Sequence, residues 1–365
     1  MDLAALVDRV APILVFLISI TVVAELADGV GVFRTIARAA SRLARGSVPA
    51  LWLLVVLVAV LCTAVLSLDT TAVLLTPVVL SLAAQLRLDP ELFAYTTVWL
   101  ANTASLLLPV SNLTNLLSVS RLGRSGGSSA LAFLGLTWPA AVAAVVVTVV
   151  ALALVFRRSL RGRFEVAVAE PVEDKVLLVL ATVMCALLGP AFLAGVDVTV
   201  AATAAALVVV VACLVRRRSL LGWHLLPWKI VLGVSVLFVA VELAHEHGLG
   251  ELLGLAAGSA GQSWVALLRL SGIGALAANL VDNLPAYLAL EPTATGSPFR
   301  LAALLIGVNA GPLVTPWASL ATILWAARCR SAGVSVSWRR FALRGLVLVP
   351  CLLVAATTAL WLGRD

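Results

Sequence analysis

The residues best placed to do chemistry are four carboxylates set inside apolar sequence. Asp69 lies in Ser67-Leu68-Asp69-Thr70-Thr71 and Asp282 in Asn279-Leu280-Val281-Asp282-Asn283, each with long apolar arms on both sides. Glu25 and Glu242 lie in Ala24-Glu25-Leu26 and Val241-Glu242-Leu243, near the ends of two further apolar runs. A carboxylate in hydrocarbon is costly and marks a functional site by default, often a step in a proton relay. All four are therefore proton-coupling candidates, Asp69 and Asp282 ahead of the two glutamates, which sit nearer to the ends of their runs.

Two longer apolar segments are interrupted by proline and by uncharged polar residues. The first runs from Asn102 through Pro109 to Ser111-Asn112-Leu113-Thr114-Asn115; the second runs from Asn309 through Gly311, Pro312, Thr315 and Pro316 to Ser319 and Thr322. Both read N-x6-P followed by S-x-x-T. Proline removes a backbone donor, and unsatisfied backbone in lipid costs several kcal/mol per group, so such breaks occur only where protein or water covers them. The freed N–H and C=O groups at the half-helix ends suit anionic or hydroxylated ligands and cations respectively. Asn102, Ser111, Asn112, Thr114, Asn115, Asn309, Thr315, Ser319 and Thr322 add side-chain donors and acceptors, and are the candidate substrate contacts. Serine and threonine also serve as ordinary interhelical glue, but a matched pair of clusters is more than that role requires.

The elements that position these residues are membrane spans. Of 365 residues, 62% are hydrophobic and 12% charged, against roughly 45 to 50% apolar in soluble chains. Leu51 to Leu66, Ala130 to Phe156, Val176 to Leu193, Val198 to Val215 and Phe341 to Leu362 meet or approach the span length of about 20 residues. The net charge of +7 comes from arginines in short loops, where they set orientation rather than bind nucleic acid. Arg34 to Arg45, Arg157 to Arg163, Arg216 to Lys229 and Arg328 to Arg344 all fall on the cytoplasmic side of one consistent count, with Arg121 and Arg124 against it. The first run has no small-residue cleavage site and reads as a retained helix. Cys62, Cys185, Cys213, Cys329 and Cys351 are scattered singly and read as packing residues. His245-Glu246-His247 precedes Gly248 and reads as a loop rather than a metal site. No nucleotide-binding loop is present, and no cofactor or enzymatic role is expected.

The chain also repeats itself. Phe16 to Gly31 matches Val236 to Gly250, placing Glu25 opposite Glu242, and each is followed by two apolar arms meeting at a polar tip and then by a broken segment. The first pair of arms closes at Arg87-Leu88-Asp89-Pro90 and the second at Glu291-Pro292. Under the charge rule the matched helices run in opposite directions. The fold expected is an all-α polytopic membrane protein of two inverted-topology repeats with re-entrant hairpins and broken helices: residues 1–156, a cytoplasmic linker at 157–175, and residues 176–365. About eight full spans and two hairpins result, with substrate at the repeat interface.

At these broken segments the sequence resembles the arsenical pump membrane protein family of the ion transporter superfamily. The resemblance rests on Leu68 to Pro77, Ala101 to Ser118, Asn283-Leu-Pro-Ala-Tyr-Leu288 and Gly311 to Trp325, most specifically on SNLTN (111–115) and TPWASLATILW (315–325). It implies efflux of arsenite and antimonite across the cell inner membrane, driven by the proton motive force, with a cytoplasmic ATPase subunit as a further partner in some members. It also implies a first half-site of Asn112, Thr114 and Asn115 and a second of Thr315, Ser319 and Thr322. Relative to that family the first repeat lacks leading helices, which leaves the outer scaffold and a homodimer contact open. The partners expected are lipid, a small inorganic substrate and protons. Three rival readings remain: a sodium/proton antiporter, a sodium-coupled dicarboxylate transporter, and, from a different class, a channel or a non-transporting truncated paralogue.

Overall fold

The structure, a computed structural model, describes residues 3–122, 129–165, 173–247 and 261–364. Among these the chain is helical, with no strand beyond an isolated bridge between Ser47 and Arg163. Eight helical stretches are long and apolar enough to cross a membrane. In hydrocarbon a helix satisfies its own backbone, which is why the apolar runs fold this way. The side chains left outside agree: Val142, Val146, Val150 and Leu154 form an exposed stripe at four-residue spacing, as do Val179, Val183 and Leu187. Lipid is the solvent these stripes face, and the protein is a multi-pass membrane protein.

The helices are α1 (Leu3–Gly29), α2 (Val32–Leu43), α3 (Val48–Leu66), α4 (Leu68–Gln85), α5 (Pro90–Thr103), α6 (Leu113–Leu122), α7 (Ser129–Val155), α8 (Lys175–Leu193), α9 (Val198–Arg216), α10 (Trp228–Glu246), α11 (Trp264–Val281), α12 (Asn283–Ala294), α13 (Pro298–Ala310), α14 (Leu320–Ser331) and α15 (Trp338–Leu362). Their starts carry the expected caps: Ser47 and Pro49 open α3, Asp89 and Pro90 open α5, Asp174 opens α8, Asp197 opens α9 and Ser263 opens α11.

α3 and α4 form a hairpin. The Trp52 indole N–H donates to Thr96 Oγ1 at 3.0 Å and the Thr76 hydroxyl to Thr97 Oγ1 at 2.9 Å, so both arms lie at one level of α5. α2 packs against both arms. Within α4, Pro77 has no N–H to offer the preceding turn, and Thr71–Leu75 widens into a π turn. α11 and α12 form the second hairpin. The Arg300 guanidinium, at the start of α13, donates to Thr293 O at 2.9 Å and to Gly261 O at 3.2 Å, gathering the outer ends of all three helices. Here the second arm runs on through Glu291 and Pro292 to Ala294, so the turn falls later than the Glu291-Pro292 boundary expected. Gly307 lets α13 lie directly on α11, since a Cβ there would overlap the Ser271 carbonyl oxygen.

The arginine-bearing loops meet at one end of the molecule. Phe164 N–H donates to Gly46 O at 2.9 Å, Ser159 to Asp89, and Arg340 and Arg344 reach Glu91 at 3.2 and 2.9 Å. The shared end agrees with the side assigned to these loops by charge. The five cysteines are free, with Cys62, Cys213 and Cys329 buried in packing roles.

Candidate functional site

α5 and α13 each stop half-way and hand over to α6 and α14. Asn102 and Asn309 are the penultimate residues of α5 and α13. The next helices open at Asn112 (φ −152°, ψ 145°) and Ser319 (φ −150°, ψ 136°). Asn102 to Asn112 and Asn309 to Ser319 span the same number of residues, with Pro109 and Pro316 at matching places. The helix starts therefore pair Asn112 with Ser319 and Asn115 with Thr322. That register is one residue off the S-x-x-T match, which set Ser111 against Ser319.

The broken helices cross one another twice. At the first crossing, Asn309 of α13 meets the start of α6. Asn309 Oδ1 accepts from Asn112 Nδ2 at 2.9 Å and from the Thr114 hydroxyl at 2.7 Å, and Asn309 Nδ2 donates to Asn115 Oδ1 at 2.6 Å. Asn115 Nδ2 donates to the carbonyls of Ser105 and Leu108. Asn112 Oδ1 accepts from Thr114 N–H at 3.2 Å. The Ser111 hydroxyl donates to Ala64 O at 3.0 Å, tying the break to the first hairpin. This crossing is buried and saturated.

The second crossing has the same parts in a different state. The Trp325 indole N–H on α14 donates to Ala94 O on α5 at 2.9 Å, which fixes these two helices side by side. Asn102 Nδ2 is committed to Val98 O at 3.0 Å. Asn102 Oδ1, Ser319 Oγ and Thr322 Oγ1 are all buried and have no hydrogen-bond partner. Thr315 takes no part, because its hydroxyl donates to Asn279 O at 2.8 Å.

Asn279 is the residue that sequence reasoning placed in the hairpin tip without giving it a role. Its Nδ2 donates to Ala275 O and Gly311 O, both at 2.8 Å, while its Oδ1 accepts from Val314 N–H and Thr315 N–H, both at 3.1 Å. One side chain thus satisfies three backbone groups of the stretch between α13 and α14. A lone asparagine three residues before the helix break at Asp282 is the signal that was available.

At the hairpin tips the backbone turns sharply at Ser67 (φ 107°) and Asp282 (φ 119°), a region costly for any side chain and concentrated at functional sites. Asp282 Oδ1 accepts from Leu284 N–H at 3.1 Å, and its carboxylate also accepts from Leu320 N–H, the first residue of α14. It therefore joins two helix N-termini, where a negative charge is favoured. Ser67 is its counterpart in the first hairpin, accepting from Thr70 N–H at 3.4 Å. Asp69 lies two residues further on and is within electrostatic reach of Asp282. The two tips thus bring the two aspartates into one neighbourhood.

A cavity of ≈ 460 Å³ leads from the arginine-rich end to the first tip, lined among others by Glu25, Ser67, Asp69, Thr70, Lys229 and Arg328. Glu25 and Asp69 share this space. Glu242 lies on α10, but its side chain is outside the described residues, as are those of His245 and Glu246. Among the described residues no group of three or more His, Cys, Asp or Glu could hold a metal ion.

Comparison with known proteins follows the same lines. The chain is 27% identical to the arsenical pump membrane protein of Escherichia coli (strain K12), over 94% of this chain and 84% of that protein. It is 25% identical to an uncharacterized transporter of Mycobacterium tuberculosis, over 96% of this chain and 85% of that one. Among solved structures, the Alcanivorax borkumensis YdaH transporter, described as having an unusual topology, superposes with a TM-score of 0.58. That likeness covers 99% of this chain and 87% of the other at 17% identity, and speaks for the fold. The citrate transporter (CitMHS) family profile matches residues 4–327, and the chain belongs to that family of membrane transporters.

Proposed function

We propose that this protein is a secondary transporter that exports arsenite and antimonite, exchanging them for protons between two inverted-topology repeats. The observation that carries the reading is the chemistry of the crossings: Asn102, Asn112, Thr114, Asn115, Asn309, Ser319 and Thr322 are all buried and all uncharged, beside two aspartates. Arsenous acid is a largely uncharged trihydroxide at neutral pH and suits such groups. A citrate anion placed there would face two carboxylates with no arginine or lysine among the site residues to offset them. The 27% identity to arsenical pumps over most of the chain supports the same choice.

The mechanism follows from the two tips. With the arginine-rich end cytoplasmic, the cavity at Asp69 opens inward. Asp69 and Asp282 are the carboxylates at the two tips, and intramembrane carboxylates are the groups that carry a proton across as substrate moves the other way. The strained turns at Ser67 and Asp282 hold these groups at mid-membrane depth, and rocking of one repeat against the other exposes them alternately. A second reading, inward carriage of a carboxylate such as citrate, draws on Lys229 and Arg328 in the cavity wall.

The two readings separate in cells that lack their own arsenite export and citrate uptake. Expression of this chain should lower cellular arsenite and leave citrate uptake at background. Citrate uptake with unchanged arsenite content would reverse the assignment.

A further inference from the structure

Gly31, in the left-handed region at φ 91°, turns the chain out of the span α1 and into α2. The two sides of α2 differ in kind. Phe33, Ala37 and Ala40 are buried against the protein. Arg34, Arg38 and Arg42 recur every four residues and so share another face, with Arg34 and Arg42 exposed and Arg38 half-buried. A short helix with one apolar and one arginine-bearing side, set at the end of a span, lies along the membrane surface. Here that surface is the arginine-rich, cytoplasmic one, where the leaflet carries anionic lipid.

Two of these three arginines line a cavity. It has a volume of ≈ 460 Å³ and lies between α2 and the outer end of α4, with Arg34 and Arg38 contributed by α2, Ser81 and Gln85 by α4, and Asp28 by the end of α1. Arg42, one turn further along α2, is not part of its wall. Ser81 and Gln85 are exposed and four residues apart, so they too share a helix face. Two guanidinium forks, a hydroxyl and an amide make a wall rich in N–H and O–H donors. Asp28 is the acid among the described lining residues, and it lies within electrostatic reach of both Arg34 and Arg328. Arg34, Arg38 and Arg328 outweigh that one carboxylate, which leaves the space favourable to an anion. Paired arginines suit the several oxygens of a phosphate, which accepts two N–H bonds from one guanidinium.

We propose that the cavity between α2 and α4 binds a phosphate group at the cytoplasmic membrane surface. An anionic phospholipid headgroup and a free phosphate present the same chemistry, and the test separates the two sources. The site is distinct from the cavity at Asp69, with which it shares no lining residue. It also stands whatever the protein transports. Its effect falls on the first hairpin: α4 carries Asp69 near its inner end and Ser81 and Gln85 near its outer end, so a phosphate held between α2 and α4 braces the arm that forms the first tip.

The test is thermal unfolding of the purified full chain in uncharged detergent, titrated separately with short-chain phosphatidylglycerol, short-chain phosphatidylcholine and sodium phosphate. The parent is compared with Arg34→Gln, Arg38→Gln, Arg42→Gln and Ser81→Glu. Ser81 is exposed, so Ser81→Glu sets a carboxylate in the cavity wall without disturbing the core, and it decides the matter if an arginine variant fails to fold. Expected is saturable stabilisation by phosphatidylglycerol and not by phosphatidylcholine. The apparent affinity should fall tenfold or more in Arg34→Gln, Arg38→Gln and Ser81→Glu and stay unchanged in Arg42→Gln. The same variant pattern with sodium phosphate, and no response to phosphatidylglycerol, retains the site and assigns it to a free phosphate. Stabilisation that weakens equally in Arg42→Gln overturns the site and leaves only diffuse attraction to a basic surface. A parent that responds saturably to neither probe, or a response that Ser81→Glu keeps, overturns it as well.

Discussion

Asn102 and Asn309 are the same residue type at matching positions, and the structure predicts that replacing them by alanine has unequal cost. Asn309→Ala removes three side-chain hydrogen bonds and strands Asn112 Nδ2, Thr114 Oγ1 and Asn115 Oδ1. Asn112 Oδ1 and Asn115 Nδ2 keep their backbone partners, which limits the damage. Side-chain hydrogen bonds between membrane helices average about 0.6 kcal/mol and reach about 1.7, so three amount to about 2 to 5 kcal/mol. Asn102→Ala loses a single bond to Val98 O within its own helix and removes one unpaired acceptor, a change of no more than about 1 kcal/mol. Reversible unfolding of both variants in bicelles, by steric trapping, measures the difference directly. Equal destabilisation, or a larger effect at Asn102, would mean that the two crossings are in the same state and that the asymmetry argued above is mistaken.

Three further outcomes follow from the same geometry. Asp69→Asn and Asp282→Asn should insert and fold, yet lose proton-linked transport; transport by both that still responds to an imposed pH gradient would make these residues structural. Gly345→Ala places a Cβ onto the Leu313 carbonyl at the second break, so α15 must shift at a cost of about 1 to 3 kcal/mol; normal thermal stability in detergent would refute that contact. At the arginine-rich end, the hydrogen bond from Arg216 holds the Asp174 carboxyl below its usual range. The link should therefore contribute fully above about pH 4 and be lost as pH falls through the lower folded value, a small effect at an exposed pair, seen as a loss of acid sensitivity in Asp174→Asn.

Much of this architecture is legible in the sequence because lipid imposes strong rules. Apolar runs had to be helices, the arginines marked one end, and Pro109 and Pro316 marked two breaks that recur with Asn102 and Asn309. The register of the match was less legible. Serine, asparagine and threonine all open helices, so the S-x-x-T match set Ser111 against Ser319, whereas the helix starts pair Ser319 with Asn112. The end of the second hairpin was misplaced because Glu291-Pro292 reads as a stop, whereas α12 absorbs the proline and continues to Ala294.

The role of Asn279 was hidden for a different reason: its partners are backbone groups of Gly311, Val314 and Thr315, distant in sequence and silent in composition. Least legible was which crossing is closed. Asn309 and Asn102 look alike in the chain, and their difference arises from how closely two helices approach, which periodicity does not encode.

The central claim is proton-driven export, and the measurement that addresses it most directly is arsenite uptake by everted membrane vesicles containing this chain, energised by respiration. The account predicts accumulation that collapses on adding a protonophore and that is absent from vesicles with Asp69→Asn. Accumulation that survives the protonophore, or none beside a working control, would contradict it.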